Sequence, residues 1–137
     1  MTEVSLSSSV PISPDKVWEL IGGFNALPDW HPAVEKSELE EDGSVRRLTL
    51  MGGGSIVERL EKMDEGSHCY EYSIVESPLP VSNYKSRLEL VDDGKGGTKI
   101  NWSSEFVPSG ASETDASKVI EGIYTAGFEN LKKMFGG

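Results

Sequence analysis

Apolar Val4, Leu6 and Val10 alternate with polar neighbours along residues 3–11, the period of a half-buried strand. Ser13-Pro14-Asp15 then predicts a helix start, with Ser13 at the N-cap and proline at the first helical position, where its missing N–H costs nothing. Val17, Trp18 and Ile21 form the inner face of this short helix, and Gly22-Gly23 end it. Residues 24–34 carry a second helical pattern, broken by Pro28 and Pro32. From Glu35 the period changes to two. Strands are expected at 36–41, 44–51, 55–63, 68–76, 83–91 and 98–107, with polar turns at Asp42-Gly43, Asp64-Glu65-Gly66 and residues 92–97. Two connections differ in kind: residues 51–55 contain three consecutive glycines, and Pro78-Leu79-Pro80-Val81 is apolar and stiff.

The chain closes on a long amphipathic pattern over residues 112–135. Val119, Ile120, Ile123, Tyr124, Phe128, Leu131, Met134 and Phe135 recur at three- and four-residue steps, which stacks them on one helical face. Ser112 or Thr114 supplies an N-cap, Glu113 and Asp115 put negative charge in the first turn, and Lys132 and Lys133 put positive charge in the last. Gly122 and Gly127 interrupt the interior, each costing about 1 kcal/mol relative to alanine. Such glycines mark close packing against a neighbour or room for a ligand. A strand, two short helices, six strands and one long helix predict a single α+β domain over 1–137, a seven-stranded antiparallel sheet curled around the C-terminal helix.

Composition changes this picture in only a few places. The net charge of −10 over 137 residues and a pI near 4.6 oppose binding to nucleic acid or to anionic membrane surfaces. The sole cysteine, Cys69, excludes an intramolecular disulfide and a multi-cysteine metal site, and fits a reducing compartment. With no apolar leader at residues 1–10 and no run long enough to span a bilayer, the expectation is a cytoplasmic protein.

Trp18 to Phe24, Leu27 to Pro32, Glu58-Arg59-Leu60, Pro80 to Tyr84, Trp102 and the terminal helix together resemble the polyketide cyclase/dehydrase-like branch of the START/Bet v 1 superfamily. The resemblance implies the helix-grip fold, with a cavity between sheet and helix for an apolar ligand. Plant abscisic-acid receptors are a distant branch. Their gate loop corresponds to Met51 to Ser55, their latch with its Asn-Tyr to Leu79 to Tyr84, and a pocket serine to Ser86. Their ligand-carboxylate lysine falls near Glu35-Lys36, and glycines replace their gate sequence here, so the resemblance does not extend to hormone binding as such.

Strand parity decides which side chains can meet a ligand. It puts Ile56, Glu58 and Leu60 on one face; Tyr70, Tyr72 and Ile74 on one face; Tyr84, Ser86, Leu88 and Leu90 on one face; and Trp102, Ser104 and Phe106 on one face. Their apolar members mark each face as inward. Glu58 is then a carboxylate on the concave side, which must be paired, hydrogen-bonded or protonated. It is the first candidate for acid/base work or anchoring, and an ion pair with Arg46 is its structural alternative. The expected ligand-contacting set is Trp30, His31, Leu50, Ile56 and Glu58, with Tyr70, Tyr72, Leu79, Tyr84 and Ser86, and Trp102, Ser104, Ile120, Tyr124 and Phe128. Tyrosines on a concave face give an apolar pocket its polar handles. Glu58, Tyr84 and His31 are candidates for proton transfer, with His31 expected either at the surface or at the cavity mouth.

No metal or other cofactor is expected: His68 and Cys69 point to opposite faces of a strand, and no residues have metal-ligand spacing. Gly52-Gly53-Gly54 leads into a strand, so no helix N-terminus is available for a phosphate, and no nucleophile elbow exists. The leading expectation is binding of a small hydrophobic or aromatic molecule, lipid- or polyketide-like. The alternatives are a polyketide cyclase/dehydratase-type enzyme and an interaction module docking a homodimer mate or protein partner through residues 78–82.

Overall fold

The structure is a computed structural model and describes residues 2–136. Strand β1 (Thr2–Val10) leads into helices α1 (Pro14–Ile21) and α2 (Leu27–Trp30). The meander follows as β2 (Val34–Glu40), β3 (Val45–Leu50), β4 (Ser55–Asp64), β5 (Cys69–Glu76), β6 (Val81–Asp92) and β7 (Thr98–Pro108). Helix α3 (Glu113–Phe135) ends the chain. All neighbours pair antiparallel in the order β1-β7-β6-β5-β4-β3-β2, so the N-terminal strand docks beside the last one and β1 and β2 are the edges. This is the helix-grip architecture.

Local chemistry accounts for the boundaries. Pro28 starts α2 and Pro32 ends any continuation, so the expected second helical stretch over 24–34 shrinks to one turn at Leu27–Trp30. Ser13 occupies the N-cap of α1 without making a side-chain bond, whereas Ser112 Oγ accepts the Asp115 N–H at 3.1 Å and caps α3. Gly52, Gly53 and Gly54 all take positive φ, which explains a glycine run between β3 and β4.

Two irregularities in the ladder aim residues inward. In β6, Asn83 at φ 52° forms a bulge that shifts the register between Ser82 and Lys85 and turns Tyr84 onto the concave face. In β4 the register shifts between Val57 and Glu58, so Ile56, Val57 and Glu58 are buried in succession. The core lies between sheet and helix, and α3 sits off-centre, closest to β1 and β7. Ala116, Ile120, Tyr124, Phe128 and Leu131 seal that side. The trough between α3 and the β2–β4 side of the sheet is filled less completely, and there the candidate site lies.

Candidate functional site

A cavity of about 230 Å³ occupies this trough. Leu48 and Leu50 from β3, Ile56 and Glu58 from β4, Tyr72 from β5, Tyr84 from β6 and Trp102 from β7 form its sheet wall. Val119 and Ile123 of α3 form the floor, and Leu27, His31, Ala33 and Val34 close one side. Met51 and Leu79, from the glycine-rich and proline-rich connections, complete the lining. The two connections approach each other, since a side chain on Gly54 would come within 4.0 Å of the Pro78 ring. Met51 and Val119 remain 60% and 39% exposed, which places the mouth between them.

Glu58 is the one acidic side chain in this apolar wall. Arg46 stands directly opposite it in the β3–β4 ladder, so both side chains rise from the same face. Arg46 Nε and Nη2 lie 2.8 and 2.7 Å from Glu58 Oε1, and Nη1 donates to the Phe24 carbonyl at 2.7 Å. The guanidinium is 1% exposed and lies 4.3 Å from the Phe24 ring centroid and 5.0 Å from that of Tyr72. Burial works against the Arg46 charge, but Glu58, with Tyr70 and Tyr72, more than restores it and holds the guanidinium protonated. Burial pushes the Glu58 carboxyl above its ordinary range, with Arg46 pulling the other way.

Both Arg46 contacts fall on Oε1. Glu58 Oε2 takes no hydrogen bond from any described residue, yet it is not among the sealed, partnerless side-chain atoms, which are Ser8 Oγ, Trp30 Nε1 and Ser104 Oγ. It therefore touches accessible space, and the space against Glu58 is the cavity.

The tyrosine hydroxyls are ordered by valence. Ser86 Oγ donates its single proton to the Ser103 carbonyl at 2.9 Å. Tyr124, 3.1 Å from Ser86 Oγ, must then donate to it, and Tyr84 in turn donates to Tyr124. The proton of Tyr84 thus points away from the cavity, and burial holds its pKa well above the usual phenol value. Trp102 Nε1 is shared between Ser86 Oγ and Tyr72 Oη, 3.1 Å from each. Tyr72 accepts that bond and has no acceptor for its own proton among the described residues.

His31 is a buried wall residue, 2% exposed, and not a surface residue. Its Nδ1 accepts the Ala33 N–H at 3.1 Å, which leaves Nε2 protonated and donating to the Ile123 carbonyl at 2.7 Å. Both nitrogens are therefore occupied by backbone, and proton transfer to a ligand has no free nitrogen to use. Burial lowers the His31 pKa, with the bond to Ile123 opposing. The contact needs Gly127: a Cβ there would meet the His31 and Trp30 rings at 3.0 Å and the Trp102 ring at 3.1 Å. Gly122 differs: it is exposed, and a Cβ there would meet nothing within 4 Å, so it makes no room for a ligand.

The His31 shift has a testable sign. The folded pKa lies below the unfolded value of about 6.5, so as pH falls through that value the unfolded chain takes up the proton first, and stability declines with slope up to about 1.4 kcal/mol per pH unit. Glu58, shifted upward, acts in the opposite direction near its own range. A comparison with His31→Gln isolates the histidine: urea unfolding between pH 7 and 5 is expected to show an acid loss in the parent that the variant lacks.

Of the expected contact residues, His31, Leu50, Ile56, Glu58, Tyr72, Leu79, Tyr84 and Trp102 line the cavity. The others lie behind its wall or beyond it. Tyr124 stacks on Trp102 with centroids 4.2 Å apart, Phe128 meets Trp102 edge-on, and Trp30 packs on the same ring, so these three join helix to sheet. Ser86 serves the hydroxyl chain, Ser104 is sealed without a partner, Tyr70 packs beside Phe24 and Tyr72, and Ile120 faces the packed side of the core. The helix residues at the cavity are instead Val119 and Ile123, one step around the apolar stripe. Leu27, Ala33, Val34 and Leu48 are not singled out from the sequence, although Leu48 shares the parity of Leu50; Met51 belongs to the connection matched to a gate loop.

This fold and lining coincide with a sequence match over almost the whole chain. The family model described as "Polyketide cyclase / dehydrase and lipid transport" matches residues 1–136. The chain belongs to this family. Protein XoxI from Bacillus cereus is 38% identical in sequence, with a TM-score of 0.97 over 98% of this chain and 96% of that one. The abscisic acid receptor PYL7 of Arabidopsis thaliana is 25% identical over 125 residues, which are 84% of this chain and 59% of the receptor. The chain thus spans about three-fifths of the receptor's length. The Zhui aromatase/cyclase from Streptomyces sp. R1128 shares the fold at a TM-score of 0.77 and 19% identity, over 93% of this chain and 89% of that one. No helix among the described residues is long and apolar enough to cross a membrane.

Proposed function

We propose that this protein binds a small, mostly apolar molecule in the cavity between the sheet and α3. The observation that carries this reading is an unfilled space of about 230 Å³ bounded by leucine, isoleucine, valine and aromatic side chains, with a single carboxylate on its wall. Packing side chains into that space would add stability, so an apolar hollow with a mouth suits an occupant better than it suits a core. The apolar connection at 78–82 fits the same reading without a homodimer or protein partner, because Leu79 turns inward to cover the cavity. A cytoplasmic setting agrees with one buried, unpaired cysteine.

Thermal unfolding of the purified protein against a panel of fatty acids, flavonoids, sterols and small phenols tests the proposal. A ligand at about 100 times its dissociation constant is expected to add about 2.7 kcal/mol of stability. Leu79→Asp, at a half-buried loop position, is expected to abolish that gain while leaving the unliganded protein folded. A panel without any shift would sink the reading.

A second reading is cyclase- or dehydratase-type catalysis on a carbonyl compound, favoured by the open Oε2 of Glu58. In that case Glu58 would accept the substrate proton. Tyr84 and His31 are poorly suited, because the Tyr84 proton and both His31 nitrogens are engaged elsewhere in the protein. The reading requires Glu58→Gln to abolish turnover while an apolar ligand still binds; loss of both would mark Glu58 as a structural group.

A further inference from the structure

We propose that the cavity selects a neutral, hydroxyl-bearing molecule of one or two rings and rejects carboxylates; this rests on the cavity being a ligand site, as proposed above. Two of its lining residues carry a polar function left without a protein partner among the described residues, and the two are of opposite kinds. Glu58 Oε2 is an acceptor without a protein donor, and the Tyr72 hydroxyl is a donor without a protein acceptor among the described residues. A ligand hydroxyl answers both, donating to Glu58 and accepting from Tyr72.

The other polar atoms of the wall offer no competing anchor. Trp102 Nε1 is shared by Tyr72 and Ser86, the Tyr84 proton goes to Tyr124, and both His31 nitrogens are occupied by backbone. Charge decides against acids. No lysine or arginine among the described residues lines the cavity, and the buried Arg46 guanidinium behind it is paired with Glu58, so a ligand carboxylate would meet an anion and no cation of the wall. Buried without a counter-charge, it would also lose its hydration. A cationic ligand gains little, because Arg46 already balances Glu58. Size sets the remaining limit: an apolar cavity of about 150 Å³ holds benzene, and this one, at about 230 Å³, admits a second ring or a short substituent.

Three probes of matched shape test this on the full chain at pH 7: 2-naphthol, 2-methoxynaphthalene and 2-naphthoate. Titration calorimetry, checked by quenching of tryptophan fluorescence, gives their affinities. The expected order places naphthol about tenfold or more above the methyl ether, which accepts but cannot donate, and naphthoate last. In Glu58→Gln the naphthol advantage is expected to fall to within about threefold, and naphthoate to gain, because Arg46 then carries an unbalanced charge. If that variant fails to fold, the double variant Arg46→Met/Glu58→Gln substitutes: there the naphthol advantage also collapses but naphthoate stays weak. Naphthoate binding the parent as well as naphthol does, or a preference unchanged in the variants, would overturn the selectivity while leaving the binding site standing. Absence of binding by all three would overturn the binding reading and this inference with it.

Discussion

Glu58→Gln is expected to lower the unfolding free energy by about 3–5 kcal/mol, because it leaves the Arg46 guanidinium buried without its counter-charge. The guanidinium cannot escape by swinging to solvent: Nη1 is fixed to the Phe24 carbonyl, and Phe24, Tyr70 and Tyr72 surround its plane. Nor can it lose its proton at any ordinary pH. Against a total stability of about 5–15 kcal/mol for a domain, the loss is large and corresponds to a fall of about 10–20 °C in Tm. The double variant Arg46→Met/Glu58→Leu removes both charges and is expected to recover most of the loss, since an apolar pair of similar volume pays no desolvation. Urea unfolding of the parent, the single and the double variant measures this directly. A single variant within about 1 kcal/mol of the parent would mean that the pair contributes little beyond filling space.

Gly127→Ala and Gly122→Ala are expected to act with opposite signs in the same helix. Each gains about 1 kcal/mol of helix propensity. At Gly122 nothing opposes that gain, so the variant is expected to be more stable by up to about 1 kcal/mol. At Gly127 the new methyl enters a gap bounded by three rings, Trp30, His31 and Trp102, each no more than 2% exposed and each packed on another ring or bonded to backbone. Overpacking of this kind costs about 1–3 kcal/mol and outweighs the propensity gain. The expected net loss is up to about 2 kcal/mol, with the His31–Ile123 bond strained as α3 moves outward. Equal stabilisation by both substitutions would show that the rings yield, and that the close approach at Gly127 is not needed for the packing.

Much of the candidate site was legible because strands obey a strict two-residue period. Parity alone placed Ile56, Glu58, Tyr72, Tyr84 and Trp102 on the concave face, and all five line the cavity. It also made Arg46 the partner open to Glu58, and the ladder brings the two directly opposite. The helix was less legible. A 3.6-residue stripe says which residues face the sheet but not how far across the sheet the helix lies, so Tyr124 and Phe128 were expected at the ligand and are found packed on Trp102 instead, Tyr124 stacked and Phe128 edge-on. His31 was harder still. Its burial depends on a glycine 96 positions later in the chain, and no local pattern connects them.

The sequence by itself determined the element order, the sheet-and-helix architecture and the inward faces of β4 to β7, because hydrophobic period, proline placement and caps act over a few residues. Only the tertiary structure decided that α3 lies toward β1 and β7, leaving the cavity on the β2–β4 side. It alone decided which polar atoms on the wall are satisfied. Those outcomes depend on contacts between residues far apart in the chain, where Gly127 admits Trp30 and His31 to the helix, and where Arg46 takes one oxygen of Glu58 and leaves the other open.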